Sequence, residues 1–296
     1  MTAGLADAVG IDVHRGVPFA SRTDETLLLD LYRPATASAE SPRKSAEPAA
    51  RRAAVVLVPG AQWRTSDRGE LARYALDLAE RGYVCAVPSY RGSDVAAFPA
   101  QILDLKAAVR WLRAHAADLG VAPGRIGAFG HDAGAHLAVL AALTADDEAF
   151  APRPEVVVDV AERVAIDVSD ALAAVVGVGG TYALEHQPET DALVAFLGGD
   201  RESAPTAWEQ ASPSTYLRER GEGESGGTGV PPILLLHGED DDVVSAMASE
   251  FFHDRLAEND VPAECVVATG AGHDVHRTQQ SFTLGWIEGF FDKHLR

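Results

Sequence analysis

Six apolar runs, each closing on glycine, proline or a small polar residue, constrain this chain more than any other feature. They are AAVVLVPG from Ala53, YVCAVPSY from Tyr83, RIGAFG from Arg125, ALAAVVGVGG from Ala171, PPILLLHG from Pro231 and AECVVAT from Ala263. Uninterrupted apolar runs of this length suit strands covered on both faces. The segments between them carry helical spacing. Leu71, Tyr74 and Leu78 mark a helix that Gly82 should stop. Ile102, Leu105, Val109 and Leu112 mark a helix over Gln101 to Ala116. AGAHLAVLAAL follows RIGAFG directly, Met247 to Asn259 reads as a helix, and Ser281 to Leu295 reads as a closing one. Strands alternating with helices predict an α/β fold, a mostly parallel central sheet with helices on both faces. Ligands bind such sheets at the carboxyl ends of the strands.

At 296 residues the chain is expected to form one domain over 1–296, without internal repeats. Leu27 to Tyr32 reads as an early strand. Residues 33–52, rich in Ala, Ser, Pro and charge, read as an exposed loop. Residues 180–231 are the place for a small cap, and contain the flexible segment GEGESGGTG from Gly221.

A net charge of −19 argues against partners that attract basic proteins, namely nucleic acid and anionic membrane surfaces. A small-molecule substrate is the expected partner, and the oligomeric state is not readable. Cys85 and Cys265 sit in strand-like runs and read as buried free thiols. No Cys/His spacing suggests a zinc site, so neither metal nor cofactor is expected. The N-terminus has no basic region followed by an apolar stretch, and no apolar run reaches membrane-spanning length. A cytoplasmic location follows as the expectation.

Four motifs fall at predicted strand ends. Gly130-His131-Asp132-Ala133-Gly134 lies where a strand must turn sharply into a helix. LLLHGEDDDVV ends a strand in His-Gly, with Asp241 the third residue after that glycine. Gly270-Ala271-Gly272-His273-Asp274 places His273 in a glycine-rich loop past a strand, where it can reach a cleft as a general base. Val58-Pro59-Gly60-Ala61-Gln62-Trp63 ends the first buried run. His276 reads as a surface residue. His131 and His136 read as packing or hydrogen-bonding residues.

Together these motifs resemble the α/β-hydrolase fold, esterase/lipase type. SYR at Ser89 to Arg91 and the stretch from Phe98 through the GHDAG motif resemble its carboxylesterase-like branch, which includes feruloyl-esterase-related and kynurenine-formamidase-like proteins. The resemblance runs from about Leu27 to the C-terminus. Members hydrolyse esters or amides through an acyl-serine, without a metal. The order Asp132, Asp241, His273 matches the family's nucleophile, acid, base. The resemblance also implies an oxyanion loop over Gly60, Ala61, Gln62 and Trp63, with Ala133 supplying the elbow N–H. Two departures stand out. Asp132 occupies the serine's place in G-x-S-x-G, and Pro59 and Ala61 replace His and Gly of the His-Gly-Gly-x-Trp loop.

A carboxylate at 132 needs no base to be ionised, and a helix N-terminus favours its charge. Haloalkane dehalogenases and epoxide hydrolases use an Asp-Asp-His set on this fold to form an alkyl-aspartyl ester that activated water then hydrolyses. The leading expectation is hydrolysis of a small epoxide- or halide-type substrate by that route. Here Ala133 stands where dehalogenases carry Trp, and Tyr182 and Tyr216 are the tyrosines near a cap. The alternatives are a non-hydrolytic acid/base enzyme, a non-catalytic binder, an ordinary esterase scaffold with serine replaced by aspartate, and an inert Asp132 that only caps the helix.

Overall fold

The computed structural model describes residues 10–22, 25–35, 51–64, 66–152, 165, 167–218 and 229–296. The strands are β1 (Ile11–Ser21), β2 (Thr26–Pro34), β3 (Arg52–Val58), β4 (Val84–Pro88), β5 (Val121–His131), β6 (Val175–Val178), β7 (Ile233–Gly238) and β8 (Ala263–Ala268). The helices are α1 (Ala72–Glu80), α2 (Ala100–Ala114), α3 (Ala116–Leu119), α4 (Ala133–Leu143), α5 (Asp191–Leu197), α6 (Pro205–Ala211), α7 (Thr215–Arg218), α8 (Met247–Glu258), α9 (Val275–Thr278) and α10 (Gln280–Leu295).

The strands form one sheet in the order β1-β2-β4-β3-β5-β6-β7-β8. β1 and β2 are antiparallel, as are β2 and β4, and every later pair is parallel. The six apolar runs are β4 and the parallel strands on either side of it in sequence. β1 lacks such a run and went unread: IDVHRGVPFAS alternates poorly and carries bulges where it pairs with β2.

Period-two alternation splits each central strand between two cores. Ala54, Val56 and Val58 of β3 face one layer with α2 and α4, while Ala53, Val55 and Leu57 face the other with α1 and α10. β7 does the same with Ile233 and Leu235 against Leu234 and Leu236. Each valine, leucine or isoleucine among them contributes about 1.5–3 kcal/mol when fully buried. Helix α4 is buried along its whole length, which its all-round apolar sequence requires. On its flank, Lys106 and Arg110 of α2 both pair with Asp170, at 2.8 and 2.7 Å, in a buried ionic triad.

Much of the predicted loop over 33–52 and of the GEGESGGTG segment lies outside the described residues. At the edges the prediction is corrected: Arg33 and Pro34 belong to β2 and Arg52 to β3. Gly82 does follow the end of α1, with φ 99°. Both cysteines are free, Cys85 buried and Cys265 partly so. Among the described residues, no helix is long and apolar enough to cross a membrane.

Candidate active site

β3, β5, β7 and β8 lie side by side or one strand apart, so the loops leaving their carboxyl ends converge. The turn from β5 into α4 holds Asp132 at φ 51°, ψ −121°, a conformation costly for any side chain. What enforces it is the close approach of α4 to β3. A Cβ on Gly134 would collide with the carbonyl oxygen of Val58. Asp132 is mostly buried, and its side chain makes no capping bond to α4. Its Oδ2 instead accepts the backbone N–H of Gln62 at 2.8 Å. That overturns the reading of Asp132 as a helix cap.

The loop after β3 is itself strained. Ala61, Gln62 and Trp63 all have positive φ, at 69°, 52° and 59°. Left-handed backbone costs roughly 1–2 kcal/mol per non-glycine residue. Tyr90 compensates, because its hydroxyl lies 3.0 Å from the Pro59 carbonyl and 2.7 Å from that of Gly60. Burial first, then the charges of Asp132 and Glu70, keep that phenol protonated far above its ordinary range. Glu70 accepts the Gly60 N–H at 3.0 Å. Trp63 is an anchor: its ring stacks on Phe196 of α5 at 4.6 Å, and its Nε1–H donates to His136 Nδ1 at 3.1 Å. His136 passes its own Nε2–H to Ala211 O at 2.7 Å. Burial pushes this histidine down to about 4, so it stays neutral. Gly60, packed with its Cα side against Asp132, has no room for a side chain to grow freely: an added Cβ would lie 3.0 Å from Asp132 Cβ. Ala133, the first residue of α4, is fully buried behind the elbow.

Past β7, Asp241 is the carboxylate turned inward, while Asp240 and Asp242 are exposed. Its Oδ1 accepts the N–H groups of Val243 and Val244 at 2.9 and 2.8 Å. Its Oδ2 receives His273 Nδ1–H at 2.8 Å and lies 3.0 Å from His237 Nε2. Burial opposes ionisation of Asp241, but the bonds from His237, His273 and the two backbone N–H groups outweigh it and hold the carboxyl below its usual range. His273 Nε2 faces Asp132 Oδ1 at 3.8 Å. Burial pulls this imidazole down, yet the hydrogen bond to Asp241 and the charges of Asp241, Asp132 and Asp274 raise it on balance. The expected Asp132, Asp241 and His273 are therefore brought together, beside Gln62.

Three residues of the site were not read from the sequence. His237 backs Asp241, and takes a hydrogen bond from Ser249 Oγ at 2.7 Å on its other nitrogen. Tyr90 was seen only as part of the SYR motif, and Glu70 had no motif at all. His276, expected at the surface, is buried, because α9 folds it under the elbow against His131. The tyrosines near the expected cap do not offer hydroxyls to Asp132. Tyr182 is fully buried and stacked on Phe252, and the Tyr216 hydroxyl bonds to Gln210 O at 2.9 Å.

The sequence pattern of the BD-FAE family matches residues 29–256. The chain belongs to the BD-FAE family. Among relatives of this BD-FAE chain, the esterase LipQ of Mycobacterium tuberculosis is 30% identical over 238 residues, 78% of this chain and 50% of LipQ. The esterase LipC of the same organism is 31% identical over 263 residues, 84% of this chain and 57% of LipC. The chain thus spans about half the length of the curated relatives it matches. Among solved structures, esterase Est2 of the planctomycete Thermogutta terrifontis superposes with a TM-score of 0.72 at 24% identity, covering 97% of this chain and 94% of Est2. A carbohydrate esterase from gut microbiota, in truncated form, gives 0.75 at 22% identity and 99% coverage of both chains. These likenesses establish the α/β-hydrolase fold for this BD-FAE member.

Proposed function

We propose that this chain is an enzyme laid out as a carboxylic-ester hydrolase, with Asp132 standing in the nucleophile's place of its Asp132–Asp241–His273 set. The observation that carries the reading is the aim of the Asp241–His273 pair, joined at 2.8 Å, at the side chain of residue 132. The Gln62 N–H points at that side chain from the other side. The esterase names of the relatives support it. In such a layout His273 acts as base, Asp241 fixes its tautomer, and the N–H groups of Gln62 and Ala133 stabilise an oxyanion. The test is Asp132→Ser. A serine there completes a conventional triad, and turnover of short-chain nitrophenyl esters is expected to appear. A folded Asp132→Ser protein without esterase activity overturns the reading.

A second reading rests on how the two carboxylate oxygens of Asp132 are divided. Oδ2 is held by a backbone N–H, and Oδ1 is turned toward the base. For a haloalkane, Oδ1 would attack the sp³ carbon, the C–O bond forming as the carbon–halogen bond breaks and halide leaves. His273 would then take a proton from water, and the hydroxide would attack the aspartyl carbonyl carbon, releasing the alcohol and regenerating the carboxylate. Ala133 in place of a halide-holding Trp, and the burial of Tyr182, weigh against this route. It is tested by mixing His273→Gln with haloalkanes or epoxides and weighing the intact protein. A stable adduct on Asp132 supports it, and an unmodified mass with every substrate class removes it.

A further inference from the structure

Beside the elbow, three side chains meet that the site above does not use for chemistry. They are Glu70 from the segment before α1, His131 at the end of β5, and His276 in α9. One ligating atom from each lies within 4.8 Å of the others. Glu70 Oε1 and His131 Nδ1 are already 3.0 Å apart, a separation two ligands of one ion can share. The rings of His131 and His276 lie 3.7 Å apart, centre to centre.

The hydrogen-bond inventory leaves one of the three side chains, His276, without partners. His131 Nδ1 faces a carboxylate, and its Nε2 faces the carbonyl oxygen of His273 at 3.3 Å. Both neighbours are acceptors, a carboxylate oxygen and a backbone carbonyl. His276 is 1% exposed, and both of its ring nitrogens are buried without a partner. Buried polar atoms are almost always partnered, so two orphaned ring nitrogens beside a carboxylate and a second imidazole ask for a further group.

We propose that Glu70, His131 and His276 form a binding site for one zinc-class divalent ion. Two imidazoles and one carboxylate are the donors that zinc prefers over the all-oxygen sets of magnesium or calcium. With the ion on His131 Nδ1, the Nε2–H is free to donate to His273 O. One His276 nitrogen gains a partner as well. The site shares no residue with the Asp132–Asp241–His273 set. It would clamp three loops: Glu70 Oε2 holds the Gly60 N–H, His131 precedes Asp132, and His276 follows His273 by three residues. No sequence spacing could reveal the site, because its members lie on three separate segments.

The test uses the full chain, stripped with EDTA and desalted, then offered Zn2+. One equivalent should survive a second desalting, by elemental mass spectrometry. With Zn2+ at about a hundred times its Kd, the thermal midpoint should rise by roughly 4 °C. Co2+ in its place should give the intense visible bands of a four-coordinate ion. His276→Phe, which keeps ring volume, should lose the retained equivalent, the thermal shift and the bands. Glu70→Gln, which can still accept the Gly60 N–H, should weaken all three, and it carries the comparison if the His276 variant does not fold. Zinc retained equally by wild type and both variants would reflect surface histidines and overturn the proposal. So would a wild-type chain that retains none.

Discussion

The Gln62 backbone N–H donates to Asp132 Oδ2 at 2.8 Å, across 70 residues of sequence. The donor expected to meet a substrate's oxygen is thus engaged by the side chain in the nucleophile's place. A carboxylate held this way is a poor starting point for ester attack, since the tetrahedral adduct it forms expels the carboxylate again more readily than the ester oxygen whose loss would give an anhydride. Wild-type turnover of nitrophenyl esters is expected to be low. Asp132→Ser frees the donor and should raise kcat/KM by at least about 100-fold, the scale attached to one oxyanion donor. Steady-state assays of the two proteins decide this. A serine variant no faster than wild type would mean that the loop does not serve as an oxyanion site.

The same donor is main-chain, and its residue already has φ 52°. Gln62→Gly in the Asp132→Ser background keeps the N–H and relaxes the backbone. Activity should stay within a few-fold, with a stability change inside about 1 kcal/mol. A loss of ten-fold or more would assign the work to the Gln62 side-chain amide.

His237 supports Asp241 from behind and should act as a positioning residue. In the serine background, His237→Leu should lower kcat by about 10–100-fold, by analogy with the loss of an orienting partner at metal sites, with KM little changed. Equal effects on KM and kcat would point to a general disturbance of the cleft instead.

Asp241 also predicts behaviour in acid. Its carboxyl is held below the ordinary value by hydrogen bonds made only in the folded chain. A group depressed in this way stabilises the fold above its unfolded value, about 3.9, and loses that contribution as pH falls toward the folded one. Wild type should therefore lose stability steeply below about pH 4. Asp241→Asn, less stable at pH 7, should show a shallower decline over the same range. Urea midpoints measured from pH 7 to 2.5 test this, and parallel curves would refute it.

Away from the site, Asp170 pairs with two buried cations. Asp170→Ala removes the carboxylate with which Lys106 and Arg110 both pair, and should cost about 3–5 kcal/mol in urea unfolding. A cost under about 1 kcal/mol would show that the triad contributes little beyond filling space.

Much of this was legible in the chain because the parallel strands are apolar on both faces and the elbow needs small residues at fixed offsets. Asp132, Asp241 and His273 each follow the end of such a strand, where the resemblance to the family's motifs picked them out. β1 was not legible, since as an edge strand it needs no continuous apolar run. His237 looked like part of a His-Gly strand ending, and only the return of α8 toward β7 brings Ser249 to it. His276 was misread for a related reason. Three residues past His273 in a polar loop suggests solvent, and only the short α9 turns it inward. Local pattern reports which face of an element is apolar, but not which polar side chain a later turn will fold underneath.

The collision that Gly134 avoids has one more implication. The shape of the turn at 132 is imposed by what packs behind it, the approach of α4 to β3, and not by the side chain the turn presents. Residue 132 is in that sense a mounting whose alignment is indifferent to the tool fixed in it. Nucleophiles can be exchanged there while the hardware around them stays put, so a lineage can trial a new chemistry without first solving a new fold.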